Sequence, residues 1–397
     1  SEALREALGR TLGVPIFQEQ VMQVAILAAG FTPGEADQLR RSMAAWKRKG
    51  GLEKYYDRIV NGMTSRGYEE AFAKAIFEQI KGFSEYGFPE SHAASFALLV
   101  YASCWLKCHF PGEFLAAMLN SQPLGFYSAS QLVQDARRHG VEVRPPDVMF
   151  SDYDCTLEDL PRAPAVRLGL RLVTGMKEAA ALRIMAARVR APFDGAEDLA
   201  RRAELDQKDM RLLAGADALM SLAGHRRQQV WEASALKRPP QLLQDAPVDE
   251  AFLELPPALE GEEVVHDYAT IGLTLRSHPL ALLRPRLAER KLATAATLEG
   301  VRDGRFVRYA GIVTLRQQPE TASGTIFMSL EDETGVVQVI VWRSLRERQR
   351  PEVLRAKLLE VHGTWQREGD VKNLIAGRLL DLTPLLGKLE TSSRDFH

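Results

Sequence analysis

Residues 170–184 read LRLVTGMKEAAALRI and residues 219–231 read LMSLAGHRRQQVW. Both follow one pattern: apolar, two spacers, apolar, one spacer, glycine. Leu170, Val173 and Gly175 in the first answer Leu219, Leu222 and Gly224 in the second. Two copies are too few for a solenoid, and they fit a pair of helix-hairpin-helix units. Such a unit holds a phosphate on backbone N–H groups at the start of its second helix, so glycine is needed where the chain turns past the ligand. Lys177, after Gly175, and Arg226 and Arg227, after Gly224, suit that task. The plainer reading is two helix-ending glycines beside solvated cations. A second hairpin glycine is absent from both copies, since Lys177 and Arg226 stand there.

The charge pattern around the repeat favours a polyanion. The 397-residue chain has a formal net charge of −1, but residues 160–230 carry five more cations than carboxylates. Residues 239–270 hold eight carboxylates and no Lys or Arg. A patch matters more than a sum for nucleic-acid binding. A hydrophobic share of 46% supports ordinary packed cores, and the length allows several of them. Three cysteines and no signal-peptide pattern point to a reducing, cytoplasmic setting. The run AASFALLVYASCWL (93–106) is too short to cross a bilayer and reads as a buried helix. A chain that opens at Ser1 without methionine reads as part of something longer.

N-terminal to the repeat, apolar residues recur at helical spacing from Pro15 to about Leu119. Ser91 in GFPESH is placed to cap a helix starting at His92. C-terminal to it, a Pro-rich acidic linker leads to five β-like stretches with a helix between the third and fourth, the order of an OB-fold. The expected organisation is multidomain and mainly α with a C-terminal all-β OB-fold barrel. A helical domain covers 1–150, the tandem hairpins 151–238, linker and short helix 239–298, the barrel 299–386 and a tail 387–397. The barrel offers Tyr309, Phe327, Trp342, Trp365, Arg308, Arg316, Arg343, Arg367 and Lys372 for stacking on bases and tracking phosphates, or a surface for protein docking. Strand alternation buries about half of them.

Other constellations are weaker. Cys104 and Cys108 stand at i and i+4 beside His109, without a second ligand pair for zinc. Asp152 with Asp154, and Glu331, Asp332 and Glu333, are carboxylates on single loops, whereas two-metal chemistry needs them to converge from separate elements. Arg40 and Arg41, followed by Lys47, Arg48 and Lys49, make either a solvated face or a phosphate clamp.

GVPIFQEQVM, ADQLRRSM, YGFPESHAASFALLVYASCWLKCHFPGEFLAAMLN, the hairpin pair, IGLTLRSHPL and the OB pattern occur in an order that resembles the bacterial C-family DNA polymerases, related to the alpha subunit of polymerase III. SDYDCTLE and the terminal SRDFH are similar to the error-prone, damage-inducible branch. Glu90 stands where the replicative branch typically has lysine, and that branch carries a further partner-binding domain after the OB-fold. The resemblance makes residues 1–150 part of the polymerase fingers. It implies that Arg40, Arg41, Ser91 and His92 meet the incoming deoxynucleoside triphosphate. DNA binding is then expected from Gly175, Lys177, Gly224, Arg226, Arg227, Arg316, Phe327, Trp342, Arg343, Trp365 and Arg367. It further implies Mg2+ on aspartates of an upstream palm and no metal on these residues, so this piece alone is expected to be inactive. The partners it implies are primer-template DNA, a catalytically inactive Y-family-like protein, a RecA-like protein and, through them, the sliding clamp. A non-catalytic DNA-binding or docking module and a replicative alpha subunit are the competing readings.

Overall fold

The computed structural model describes residues 2–44, 53–83, 89–125, 127–235, 254–319, 322–389, 391 and 393–396. Lys47, Arg48 and Lys49, the turn at 84–88 and residues 239–253 of the expected linker lie outside them. The chain divides into two units, residues 1–109 and 110–397.

The first unit is helical. Its described helices are α1 (Glu2–Leu8), α2 (Gln18–Leu27), α3 (Pro33–Ala44), α4 (Tyr56–Thr64), α5 (Glu70–Phe83) and α6 (Glu90–His109). Val21, Val24, Leu39, Ile59, Met63, Phe77 and Ile80 recur at helical spacing and form one buried cluster. A Cβ at Gly62 would stand 2.2 Å from the Ala29 carbonyl oxygen, so glycine lets α4 lie against the end of α2. Buried Gln20 donates to the Ala7 carbonyl at 3.2 Å and Thr11 Oγ1 at 2.8 Å and accepts from the Ile16 and Phe17 N–H groups. It thereby satisfies the chain's entry into α2. Thr32 and Glu35 close a capping box around Pro33: the Thr32 N–H donates to Glu35 Oε2 at 2.7 Å, and the Glu35 N–H donates to Thr32 Oγ1 at 3.3 Å.

Two expectations fail at α6. The helix starts at Glu90, with the Ala93 N–H donating to the Pro89 carbonyl at 3.0 Å, so Ser91 lies inside the first turn and is not its cap. A proline before the helix and an acid at its first position start it two residues earlier, at Glu90 rather than His92. The helix is also not buried: Leu98 and Tyr101 are each 74% exposed and no residue of α6 is buried. Its apolar residues run all the way round, so burial would need cover on every side, which the described residues do not supply.

The second unit begins with α7 (Pro111–Asn120) and α8 (Ala129–Arg138). Their Leu115, Leu119 and Val133 share a core with Leu168, Leu170, Ile184 and Leu213, so residues 110–150 pack with the hairpin region. A small sheet, order β1-β3-β2, joins β1 (Val143–Arg144), β2 (Thr156–Glu158) and β3 (Ala165–Arg167). Next come α9 (Glu178–Arg190), α10 (Ala196–Arg202), α11 (Gln207–Gly215), α12 (Met220–Ala223) and α13 (Arg226–Ala235). Within the stretch expected to be linker and short helix, α14 (Glu260–Ile271), α15 (Pro279–Glu289) and α16 (Ala295–Glu299) are folded, and Val264, Leu280 and Leu287 pack on Ala310 and Leu358 of the barrel.

The barrel strands are β4 (Phe306–Gln317), β5 (Ile326–Asp332), β6 (Gly335–Val341), β7 (Leu358–Glu368) and β8 (Val371–Asp381), with helices α17 (Arg343–Arg348) and α18 (Arg350–Arg355) between the third and fourth. The order β5-β6-β8-β7-β4, closed by β4 against β5, is that of an OB-fold. A sixth strand, β9 (Arg394–Phe396), pairs parallel with residues 315–317 of β4. Gly363 lets β7 and β8 close up, since a Cβ there would stand 2.1 Å from the Ile375 carbonyl oxygen.

Candidate nucleic-acid interface

The first hairpin turns at Gly175, where φ is +84°, and its Lys177 precedes α9 with both residues exposed. The second turns at Gly224, with φ 70° and ψ −139°, between α12 and α13. Behind that turn lies a buried charge network. Arg226 is 3% exposed; its guanidinium donates to the Glu263 carbonyl at 2.9 Å and pairs with the carboxylates of Glu263 at 2.7 Å and Asp267. Arg276 bridges Asp217 at 2.6 Å and Glu263 at 3.2 Å. Gln229 spans from Asp217 to the Gly224 carbonyl, 2.6 Å to each, and so ties the turn to the network. Burial raises the Asp217 carboxyl above its usual range despite Arg226 and Arg276.

Arg226 is therefore a core ion-pair partner and not a surface phosphate contact. Arg227 is half exposed but donates to the Pro256 carbonyl at 3.1 Å and Glu262 at 3.2 Å, and His225 Nε2 lies 2.7 Å from the Leu255 carbonyl oxygen. The acidic segment N-terminal to α14 thus occupies the second hairpin's polar groups.

On the barrel the predicted residues separate. Arg316 is buried: its guanidinium donates to the carbonyls of Val353 at 2.7 Å and Ala356, to Ser393 Oγ, and to Asp395 at 3.4 Å. Trp365 is 3% exposed in the core beside Tyr309. Neither can stack on or contact a ligand from the surface. Trp342 is 51% exposed, Phe327 37%, and Arg343 is exposed and paired with Glu347 at 2.8 Å. Arg367 is exposed at the end of β7, and Lys372 is paired with Glu299.

Sequence reading missed Phe306, 64% exposed on β4 with its ring 6.3 Å edge-on to His362. Phe306 faces Thr364 and Arg308 faces His362 across the β4–β7 ladder, while His362 faces Arg378 on β8, giving an outward strip of aromatic and cationic groups. The signal was available: once Tyr309 points inward, residues 308 and 306 point out.

In the first unit Arg40 and Arg41 both engage Asp37, Arg40 at 2.9 Å and Arg41 at 2.8 Å, on the exposed side of α3. The hydrogen bond from Arg40 holds the Asp37 carboxyl below its usual range, and one net positive charge remains on the trio. Ser91 and His92 are exposed on the first turn of α6, with His92 4.4 Å from the Phe96 ring.

The described carboxylates do not fit Mg2+. Asp152 pairs with Arg188 and Asp154 with Arg171, each at 2.6 Å. Glu331 pairs with Arg138 at 3.0 Å and Glu333 with Arg284, while Asp332 accepts the N–H groups of Ala295, Thr334 and Gly335. Among the described residues no group of three His, Cys, Asp or Glu is placed to hold a metal ion. No described helix is long and apolar enough to cross a membrane.

Three family profiles match in the order of these parts. Residues 1–67 match the bacterial DNA polymerase III alpha subunit finger domain, 140–229 a helix-hairpin-helix motif, and 307–382 an OB-fold nucleic acid binding domain. Over its whole length the chain is 59% identical to an error-prone DNA polymerase of Burkholderia pseudomallei, 57% to one of Bordetella parapertussis and 55% to one of Alkalilimnicola ehrlichii. The chain belongs to the error-prone DNA polymerase family. It spans 38%, 38% and 39% of the length of those three relatives. The family's helical finger and hairpin regions and its OB-fold are the parts built above. Among solved structures, an asparaginyl-tRNA synthetase from Pyrococcus horikoshii is 19% identical over 23% of each chain with a TM-score of 0.21, too slight a likeness to carry an argument.

Proposed function

We propose that this chain supplies the nucleotide-positioning and DNA-holding parts of an error-prone DNA polymerase that extends primer ends past lesions. The observation that carries the reading is identity of 55–59% across the whole chain to relatives with that name. In this reading the fingers bring Arg40 and Arg41 to the triphosphate, where a paired cation clamp stabilises charge during phosphoryl transfer. Ser91 and His92 lie nearby at the incoming nucleotide. The hairpins hold duplex, and the exposed aromatic and cationic groups of the barrel hold single-stranded template. Mg2+ belongs to palm aspartates outside these residues, and these residues alone do not polymerise. The setting is cytoplasmic, and family resemblance adds an inactive Y-family-like protein, a RecA-like protein and, through them, the sliding clamp.

The test is single-nucleotide incorporation by the full-length polymerase with Arg40→Ala and Arg41→Ala together. The expected outcome is a large fall in kcat/KM for the nucleotide with primer-template affinity unchanged. Normal incorporation would leave the two arginines a solvated surface pair.

A further inference from the structure

Resting on the reading that the tandem hairpins hold DNA, the cations of residues 160–230 can be sorted by whether the fold already uses them. Arg167, Arg171, Arg183, Arg188, Arg201, Arg202, Arg226 and Arg227 all sit in salt bridges. Arg162, Lys177, Arg190, Lys208 and Arg211 remain outside any salt bridge among the described residues. Three of these five meet at one place. Gly175 packs beside α11, since a Cβ on it would meet the Leu212 side chain at 3.6 Å. Lys208 lies one turn before Leu212 on the same face of α11, and Arg211 is three residues from Lys208. All three cations are exposed.

Asp206 reports the same proximity from the other side. Its carboxylate accepts the Asp209 N–H at 2.8 Å, which caps α11. That N–H holds its carboxyl below the usual range, and the ammonium groups of Lys177 and Lys208 both add to the effect. The carboxylate therefore serves the helix end and lies within reach of two lysines from separate elements without forming a salt bridge to either.

We propose that the first hairpin and the start of α11 form one surface for the backbone phosphates of duplex DNA, with Lys208 and Arg211 contacting phosphate alongside Lys177. The grip is asymmetric. The second hairpin gives its cations to the interior and to the acidic segment before α14, so the first hairpin recruits cations from a helix outside its own motif. A phosphate backbone offers a row of charges, and side chains on two elements side by side can meet several of them at once.

Fluorescence anisotropy of the 397-residue chain on duplex and single-stranded DNA across a salt series tests this, comparing wild type, Lys208→Ala with Arg211→Ala, and Arg190→Ala. Arg190 is unpaired but ends the 13-residue α9, so it lies roughly 20 Å along the helix from Lys177. The expected result is weaker duplex binding by the double variant, with the slope of log affinity against log salt smaller by about two, and no change for Arg190→Ala. Thermal melting should stay at the wild-type value for both variants, since the substituted side chains are solvated. Duplex binding by wild type with an unchanged slope in the double variant overturns this surface while the hairpins keep their role. A loss confined to single-stranded DNA also overturns it. No duplex binding by wild type sinks the underlying reading instead.

Discussion

The two hairpins share a sequence pattern and a positive-φ glycine, yet their chemistry is opposite. Around Gly175 the cations are exposed and unpaired; around Gly224 the nearest arginine is buried and paired with two carboxylates, and the next is held by Glu262. A shared motif fixes a backbone turn. Which side chains the turn presents depends on what packs behind it, here α14 with Glu263 and Asp267 behind the second hairpin.

The strongest way to break this contrast is Arg226→Ala. Removing the buried guanidinium leaves Asp217, Glu263 and Asp267 to share the single charge of Arg276, so unfolding free energy should fall by about 3–5 kcal/mol in a denaturant titration. Full stability with lost duplex binding would instead make the second hairpin a copy of the first. A smaller effect separates the glycines. Gly224 has a φ and ψ that side chains scarcely adopt, and Gly224→Ala should cost about 1–3 kcal/mol. Gly175 is also left-handed, but a Cβ there meets only ordinary contact at Leu212, so Gly175→Ala should cost about 1–2 kcal/mol in stability while weakening duplex binding more. Equal costs in both assays would erase the distinction. The smallest effect is electrostatic: carboxyl NMR should show Asp206 titrating below the usual range and Asp217 above it. Since the folded value of Asp217 is raised, its ionisation costs stability, and that cost is relieved as pH falls through the folded value. Reversed order would mean the network behind the second hairpin is wetter than its burial implies.

Much of this was legible in the sequence. Turn residues and alternation gave five barrel strands and the helix between the third and fourth, and the Leu170/Leu219 pattern gave the hairpins. Side-chain direction was harder. Arg308 and Arg316 are an even number of residues apart on β4 and should face the same way, but the ladder slips between Val313 and Leu315 and turns Arg316 inward. Arg226 and Arg227 are adjacent and equally basic, and only the carboxylates of α14, about forty residues later, decide which one is buried. For α6, apolarity predicted burial, but sequence says how much cover a helix demands and not where that cover is.

The strand β9 carries one more consequence, for the order in which the molecule can be made. Arg316 receives its carboxylate, Asp395, 79 residues further along the chain. During synthesis the barrel can pair β4 with β5 early, yet it holds an unmatched guanidinium until the last strand has been made and docks. Such long-range closure is slow compared with the local contacts of the first helical unit, which can be complete hundreds of residues sooner. Among the described residues, the barrel's edge and its buried arginine stay open until β9 returns to meet them.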